Sequence, residues 1–315
     1  MMRTTDNHNI TTRNNEMKTT AQVNSTRASS ILVLIVVFAG AGAMAWAGSQ
    51  GGVTIGGFHV FALIVGWIFL VQIIAFIPAW ICRTEKFFDL TGSLTYISAI
   101  LMGLFLSGNL NVVTILVAIA VVFWALRLGT FLFTRMLRTG SDKRFDETKT
   151  KSLKFFNVWI IQGLWVTITL SPALAAVTAH NRASVDVFTL VGSLIWAFGL
   201  GIEIIADAQK SCFHGKPSNR NEFIHTGLWS WSRHPNYFGE MTLWLGVAIM
   251  AFPVLHGWQY VTLISPVFVA FLLICVSGIP ILERKADSRW GQRHDYQEYK
   301  SRTSVLVPLP PRVDK

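Results

Sequence analysis

Apolar residues in this chain come in blocks of about twenty, separated by short polar connections, and about twenty is what a helix needs to cross a bilayer. The blocks run Ile31 to Ala47, Phe58 to Ile81, Leu90 to Leu106, Leu110 to Leu126, Phe155 to Val177, Val185 to Ala206, Met241 to Pro253 and Trp258 to Leu282. The first and seventh are short. The seventh reads as a span or as a re-entrant half-span with His256-Gly257 as its turn. The fold class expected is all-α, a polytopic membrane helical bundle with seven or eight spans.

The polar stretches sharpen this division. Residues 1–29 are rich in Thr and Asn and read as a disordered tail. Residues 30–311 then form one membrane helical domain with polar loops and a C-terminal tail. The first apolar run lies too far behind its polar lead for a cleaved signal peptide. Gly48 to Gly57 is expected to be a loop, and Arg138 to Lys154 a charged connector able to form an interfacial amphipathic helix. No internal repeat supports a transporter built from inverted halves.

Composition agrees with a membrane protein. The 315 residues are 52% hydrophobic and 14% charged, against roughly 25% charged in soluble domains, and the mean hydropathy is +0.46. Twelve Trp and 22 Phe suit interfacial belts and lipid-facing surfaces. The net charge of +10 lies almost wholly on one side of the predicted topology. Arg3, Arg13, Lys18 and Arg27 precede the first span, Arg83 and Lys86 follow the second, and Arg127 through Lys154 follow the fourth. Lys210 through Arg233 follow the sixth, and Arg284 through Lys315 form the tail. Arg182 alone falls on the other side. The positive-inside rule then makes both termini cytoplasmic. The charge is accounted for by topology and by attraction to anionic membrane lipids, with no nucleic-acid partner implied. A basic inner face also suits a ligand with several phosphates.

Cys82, Cys212 and Cys275 lie far apart, and the eight His show no metal-binding spacing, so neither a disulfide framework nor a metal site is expected. Polar chemistry gathers elsewhere, in four clusters. Glu203, Asp207, Gln209 and Lys210 end the sixth span, with the two carboxylates four residues apart on one helix face. Such a pair near hydrocarbon needs donors, for which Lys210 and the later arginines are available; snorkelling at a helix end is the plainer reading. The run Ser232-Arg233-His234-Pro235-Asn236-Tyr237-Phe238-Gly239-Glu240 packs a cation, an imidazole, an amide, a phenol and a carboxylate into one segment. Its helix start would favour an anion, or Asn236 would simply cap the helix. The tail interleaves Tyr296, Tyr299, Lys300 and Arg302 and either folds back over a ligand or lies flat as an interfacial helix. Asp89, Ser93 and Tyr96 share the third span, opposite Arg127, Thr130, Arg135 and Arg138.

The 232–240 run, with Ala206-Asp207-x-Gln209-Lys210 before it and Tyr299-x-x-Arg302-Thr303-Ser304 after it, resembles the steroid 5-alpha-reductase superfamily. Leu126-Arg127-Leu128-Gly129 and Asp142-x-Arg144-Phe145 are similar to its bacterial-type DUF1295 branch. The resemblance covers about Phe87 to Pro311. It implies a helical membrane bundle entered by a lipid-like substrate from the bilayer and by NADPH from the cytoplasm. By position, Asp207, Lys210, Arg233, His234, Asn236, Tyr237, Glu240, Tyr299 and Arg302 would line the NADPH site. The implied reaction is reduction of an activated C=C in a steroid, isoprenoid or other lipid. The Gln-Glu pair and later Tyr that polarise the substrate carbonyl in characterised reductases have no counterpart here, where Phe123-Trp124-Ala125 stands near the position of the phenol. Glu203, Tyr96 and Asp89 are the substitutes. Two other readings stay open. Isoprenylcysteine carboxyl methyltransferases, distantly similar as are sterol C14 reductases, share Arg-His-Pro-x-Tyr-x-Gly, which would make the ligand S-adenosylmethionine. The third reading is a lipid-binding membrane protein without turnover.

Overall fold

The computed structural model describes residues 27–142, 145–181 and 184–311. Its helices in chain order are α1 (Arg27–Gly48), α2 (Val60–Ile81), α3 (Phe88–Ser107), α4 (Val112–Thr139), α5 (Ser152–Thr178), α6 (Val187–Gly215), α7 (Pro235–Ala251), α8 (Ser265–Phe271), α9 (Ile279–Trp290) and α10 (His294–Arg302). A short antiparallel hairpin, β1 (Thr54–Ile55) and β2 (Phe58–His59), occupies the connection expected to be a plain loop. Helix α1 starts at Arg27, inside the stretch expected as tail. The rest of that tail, with Arg3, Arg13 and Lys18, lies outside the described residues, as do Arg144 and Arg182.

Eight stretches are long and apolar enough to cross a membrane. Large apolar side chains such as Phe105, Ile81 and Leu110 point outward, as lipid-facing residues do and as water would oppose. The protein is a multi-pass integral membrane protein. Helix α5 is its axis: 72% of its most apolar window is buried, against 28% for α1 and for α6. It packs against α2, α3, α7 and α8.

Three expectations need correction. The seventh span is not a half-span. Helix α7 begins at Pro235 and runs through a short turn at Phe252–Val254, giving 20 residues across. The last span, Gly257–Trp290, is irregular: a 3₁₀ segment Gly257–Ile264 leads into α8, a π turn Leu272–Val276 and then a break. At that break a Cβ on Gly278 would sit 2.4 Å from the Leu273 carbonyl oxygen, so only glycine lets the chain turn into α9. Among the described residues between Arg138 and Lys154 no separate amphipathic helix forms. Helix α4 ends at Thr139, turns follow, and α5 starts at Ser152. Buried Glu85 staples these turns to the α2–α3 connection, accepting from the Asp142 backbone N–H (2.8 Å) and the Lys149 ammonium (3.0 Å). That partner pushes the Lys149 pKa up.

Candidate functional site

Helices α6 and α7 approach each other through glycines spaced seven apart, so that each pair faces one way along its helix. Gly192 and Gly199 lie on α6, Gly239 and Gly246 on α7. A Cβ on Gly239 would meet the Gly199 carbonyl oxygen at 2.6 Å and the Glu203 backbone nitrogen at 2.7 Å. Backbone contact of this kind is how small residues bind helices together in lipid. Here it also sets Glu240, the next residue on α7, beside Glu203.

Arg127 enters from α4 and divides its guanidinium between two carboxylates. One nitrogen pairs with Glu203 Oε1 and the other with Asp207 Oδ2. Both carboxylates are on α6, one turn apart, so the fork spans them. The donors expected between the acids are Lys210 and the later arginines; a half-buried guanidinium from α4 does that work instead. The side chain of Asn236 lies beside Asp207. Glu240 lies within electrostatic reach of Glu203 and Asp207. Glu203 is 2% exposed, and its Oε2 has no hydrogen-bond partner among the described residues. Three carboxylates therefore share one arginine, although no group of three His, Cys, Asp or Glu among the described residues could hold a metal ion.

Tyr96 reaches this cluster from α3. Its ring is edge-on to Trp124 (5.1 Å) and beside Trp244 (5.9 Å), and it lies in the field of Glu240. The phenol is buried next to the Thr169 hydroxyl, without a hydrogen bond of good geometry between them. The indole N–H groups of Trp124 and Trp244 are likewise buried without partners. Asp89 is half-buried in the first turn of α3, where its carbonyl accepts from the Ser93 hydroxyl. It lies seven residues before Tyr96, on the same helix face but two turns away toward the connection.

The remaining candidates belong to the join between α7 and the tail. His234 occupies the cap position of α7 with Pro235 following, so Asn236 is not the cap. Glu283 on α9 gathers His234 Nε2 (2.9 Å), Arg233 Nε (3.2 Å) and Lys300 Nζ (3.4 Å). The Arg233 contact is close enough for an ion pair but lacks hydrogen-bond geometry. Arg233 also donates to the Lys300 carbonyl (2.7 Å) and stands where a short bridge joins Ser232 to Ser304. The His234 ring stacks on Tyr237 at 5.7 Å. The tail thus folds back on the loop before α7. Tyr299 donates to the Trp229 carbonyl (2.7 Å), and burial pushes its phenol well up, leaving it a donor. Arg302 pairs with Glu298 at 2.6 Å.

Phe223, His225, Tyr299, Arg302, Asp295 and Glu298 line a groove of about 300 Å³ on this tail. Trp229 connects the groove to the carboxylates. Its carbonyl accepts from Tyr299, its indole donates to the Ala206 carbonyl (3.0 Å), and its ring lies 4.6 Å from Lys210 Nζ. Lys210 in turn feels the charges of Asp207, Arg135 and Lys285. Among the described residues none of Lys210, Arg135 and Lys285 forms an ion pair. Sequence reasoning placed Arg127, Arg135 and Lys285 near polar chemistry without assigning them to the site. Trp124, Trp244 and Thr169 carried no signal, because nothing in a lone apolar stretch tells which indole will lack a partner.

The family described as "Protein of unknown function (DUF1295)" matches residues 75–303. A Schizosaccharomyces pombe protein described as "Uncharacterized protein C594.04c" is 26% identical over 109 residues, which are 29% of this chain and 32% of that protein. The match thus spans about a third of the relative's length. No solved structure matches the chain. Since the matched stretch runs from the last turns of α2 to the end of α10 and takes in the Arg127 cluster, Tyr96 and the Glu283 hub, the chain belongs to the DUF1295 family of steroid 5-alpha-reductase-like membrane proteins.

Proposed function

We infer that this protein is an NADPH-dependent membrane reductase of an activated C=C bond in a lipid-like substrate, with both termini cytoplasmic. One observation carries the reading: the polar groups are graded along the bundle. Cations with no ion pair among the described residues stand outermost (Lys210, Arg135 and Lys285), carboxylates and an amide come next (Asp207, Asn236, Glu203 and Glu240), and the Tyr96 phenol lies innermost among indoles.

The residues suit a dinucleotide. Three like charges held together are relieved by a polyanion, so Lys210, Arg135 and Lys285 would hold phosphate, with Arg302 and Arg233 at the tail. The faces of Phe223, His225 and Tyr299 suit a base. The unpartnered Glu203 Oε2 and the Asn236 amide suit hydroxyls or a carboxamide. His234 and Tyr237 frame the same approach. When bound, the nucleotide supplies a hydride to the β-carbon of an enone.

The protein's own work is to orient the substrate, exclude water and manage one proton. As the β-carbon gains its hydride, the C=C electron pair moves toward the carbonyl oxygen. Tyr96 holds a proton there, and burial among Trp124 and Trp244 keeps the site dry. Protonation of the α-carbon then completes the saturated ketone. Asp89 has no part in this account, being two turns removed from Tyr96.

The test is calorimetry on detergent-purified protein with NADPH, NADH and S-adenosylmethionine, followed by an enone screen that follows loss of cofactor absorbance. NADPH should bind more tightly than NADH. Selective binding of S-adenosylmethionine would make the protein a methyltransferase, and nucleotide or lipid binding without any turnover would leave it a lipid-binding protein. Tyr96→Phe should reduce enone turnover about a hundredfold or more while leaving NADPH affinity unchanged. Unchanged turnover would remove Tyr96 from the reaction.

A further inference from the structure

Arg83 is the one described residue other than glycine whose φ, 48°, lies in the left-handed region. It follows Cys82, the C-cap of α2, at a position that usually falls to glycine. Hydrogen bonds fix it there: the Arg83 N–H returns to the Trp80 carbonyl (3.2 Å) and the Thr84 N–H to the Ala79 carbonyl (2.9 Å). A side chain with a Cβ is strained in this conformation, and strain kept in a fold points to a use for the side chain that bears it. Its surroundings indicate the use. Ile81 is the last residue of the α2 span, so Arg83 stands where hydrocarbon gives way to headgroups. Arg83 and Lys86 are both exposed, and neither forms an ion pair among the described residues. Ile81 (73% exposed) and Phe87 (54% exposed) flank them, and Phe87 stacks on Phe133 of α4 at 6.3 Å. Glu85, the acid between the two cations, faces inward. It is occupied by the Asp142 N–H (2.8 Å) and Lys149 Nζ (3.0 Å), so it pins the turn and leaves Arg83 and Lys86 without a counter-charge from it.

We propose that Arg83 and Lys86, flanked by Ile81 and Phe87, form a headgroup site for an anionic phospholipid on the α2–α3 turn. The two cations take the phosphate, and the two apolar side chains lie along the first methylenes of the acyl chains. Arginine in place of glycine at the helix end sacrifices some stability of the free protein and recovers it when the lipid is bound. The site lies outside the candidate cofactor residues and does not depend on the nucleotide reading.

The experiment follows thermal unfolding of protein purified in neutral detergent and titrated with phosphatidylglycerol, phosphatidylcholine or sn-glycerol 3-phosphate. Phosphatidylglycerol should stabilise wild type at lower concentration than phosphatidylcholine, and glycerol 3-phosphate should do nothing. Arg83→Gly should have two opposite effects. Without lipid it should unfold about 2 °C above wild type, because glycine takes the left-handed position without strain. Its half-effect concentration of phosphatidylglycerol should rise about fivefold. Lys86→Gln should weaken phosphatidylglycerol by the same factor without the gain in free stability, and it carries the comparison if Arg83→Gly does not fold. Arg284→Gln, which removes an exposed cation from α9, should leave the lipid response as it is. An equal loss in Arg284→Gln would reduce the effect to net charge and overturn the site. An unchanged response in Arg83→Gly and Lys86→Gln would overturn it too, as would stabilisation by glycerol 3-phosphate equal to that by the lipid. A lower unfolding temperature for lipid-free Arg83→Gly would show that the arginine supports the fold itself, and the proposal would fall with the strain argument.

Discussion

Gly239→Ala isolates what the α6–α7 seam contributes. The added Cβ would lie 2.6 Å from the Gly199 carbonyl oxygen and 2.7 Å from the Glu203 nitrogen. Ordinary contact begins near 3.4 Å, so the two helices must part by about 0.8 Å. Both obstacles are backbone and cannot rotate away. Overpacking of this kind costs about 1–3 kcal/mol, while alanine recovers roughly 0.5–1 kcal/mol of helix propensity. The net loss should be about 1–2 kcal/mol. The control is Gly66→Ala on α2, where nothing lies within 4 Å of the new methyl. Thermal unfolding in detergent should place Gly239→Ala a few degrees below wild type and Gly66→Ala at or above it. Gly199→Ala meets the same seam, with the Leu243 nitrogen at 2.5 Å and the Gly239 oxygen at 2.6 Å. The double variant should cost less than the sum, because the seam needs to open only once. If Gly239→Ala unfolds together with Gly66→Ala, the glycines do not hold α6 against α7, and the account of how Glu240 is brought to Glu203 fails.

Arg127→Met should destabilise by about 3–5 kcal/mol by leaving buried carboxylates uncompensated, and Glu203→Gln with Asp207→Asn in the same chain should restore much of it; thermal unfolding of the single and triple variants checks both statements. The tail should loosen in acid. Asp295 is held below its ordinary 3.8 by hydrogen bonds from Arg293, and a carboxylate lowered in the folded state contributes above its unfolded pKa and loses that contribution as pH falls below it. Limited proteolysis of residues 291–311 should therefore be slow above about pH 4 and accelerate below it, with Asp295→Asn removing the pH step.

Much of the architecture was legible in the sequence because a bilayer imposes local rules. A segment's own composition decides whether it crosses, so eight spans are located, although α4 runs on to Thr139 and α6 to Gly215, past the ends expected at Leu126 and Ala206. The exceptions are informative. The seventh span looked short because its apolar run starts at Met241, yet the helix starts at Pro235 and carries the polar residues of its first turns into the protein, where Asp207 and Glu283 receive Asn236 and His234. The last span looked uniform, and its break at Gly278 depends on a clash with the backbone of its own preceding turn.

The candidate site was legible in its residue types and illegible in its pairings. Glu203 and Asp207 declare a shared face by their spacing, but their partner is 76 residues upstream of Glu203, on a helix whose hydropathy says nothing of its neighbours. Arg233 and His234 looked available for a ligand until Glu283 arrived from α9.

Alone, the sequence determined a membrane-crossing helical protein, since hydrophobic length acts segment by segment. Tertiary structure decided which acid meets which base and which phenol and indoles are left without partners. Those outcomes depend on helices far apart in the chain coming within a glycine's width of one another, a distance that no single segment encodes.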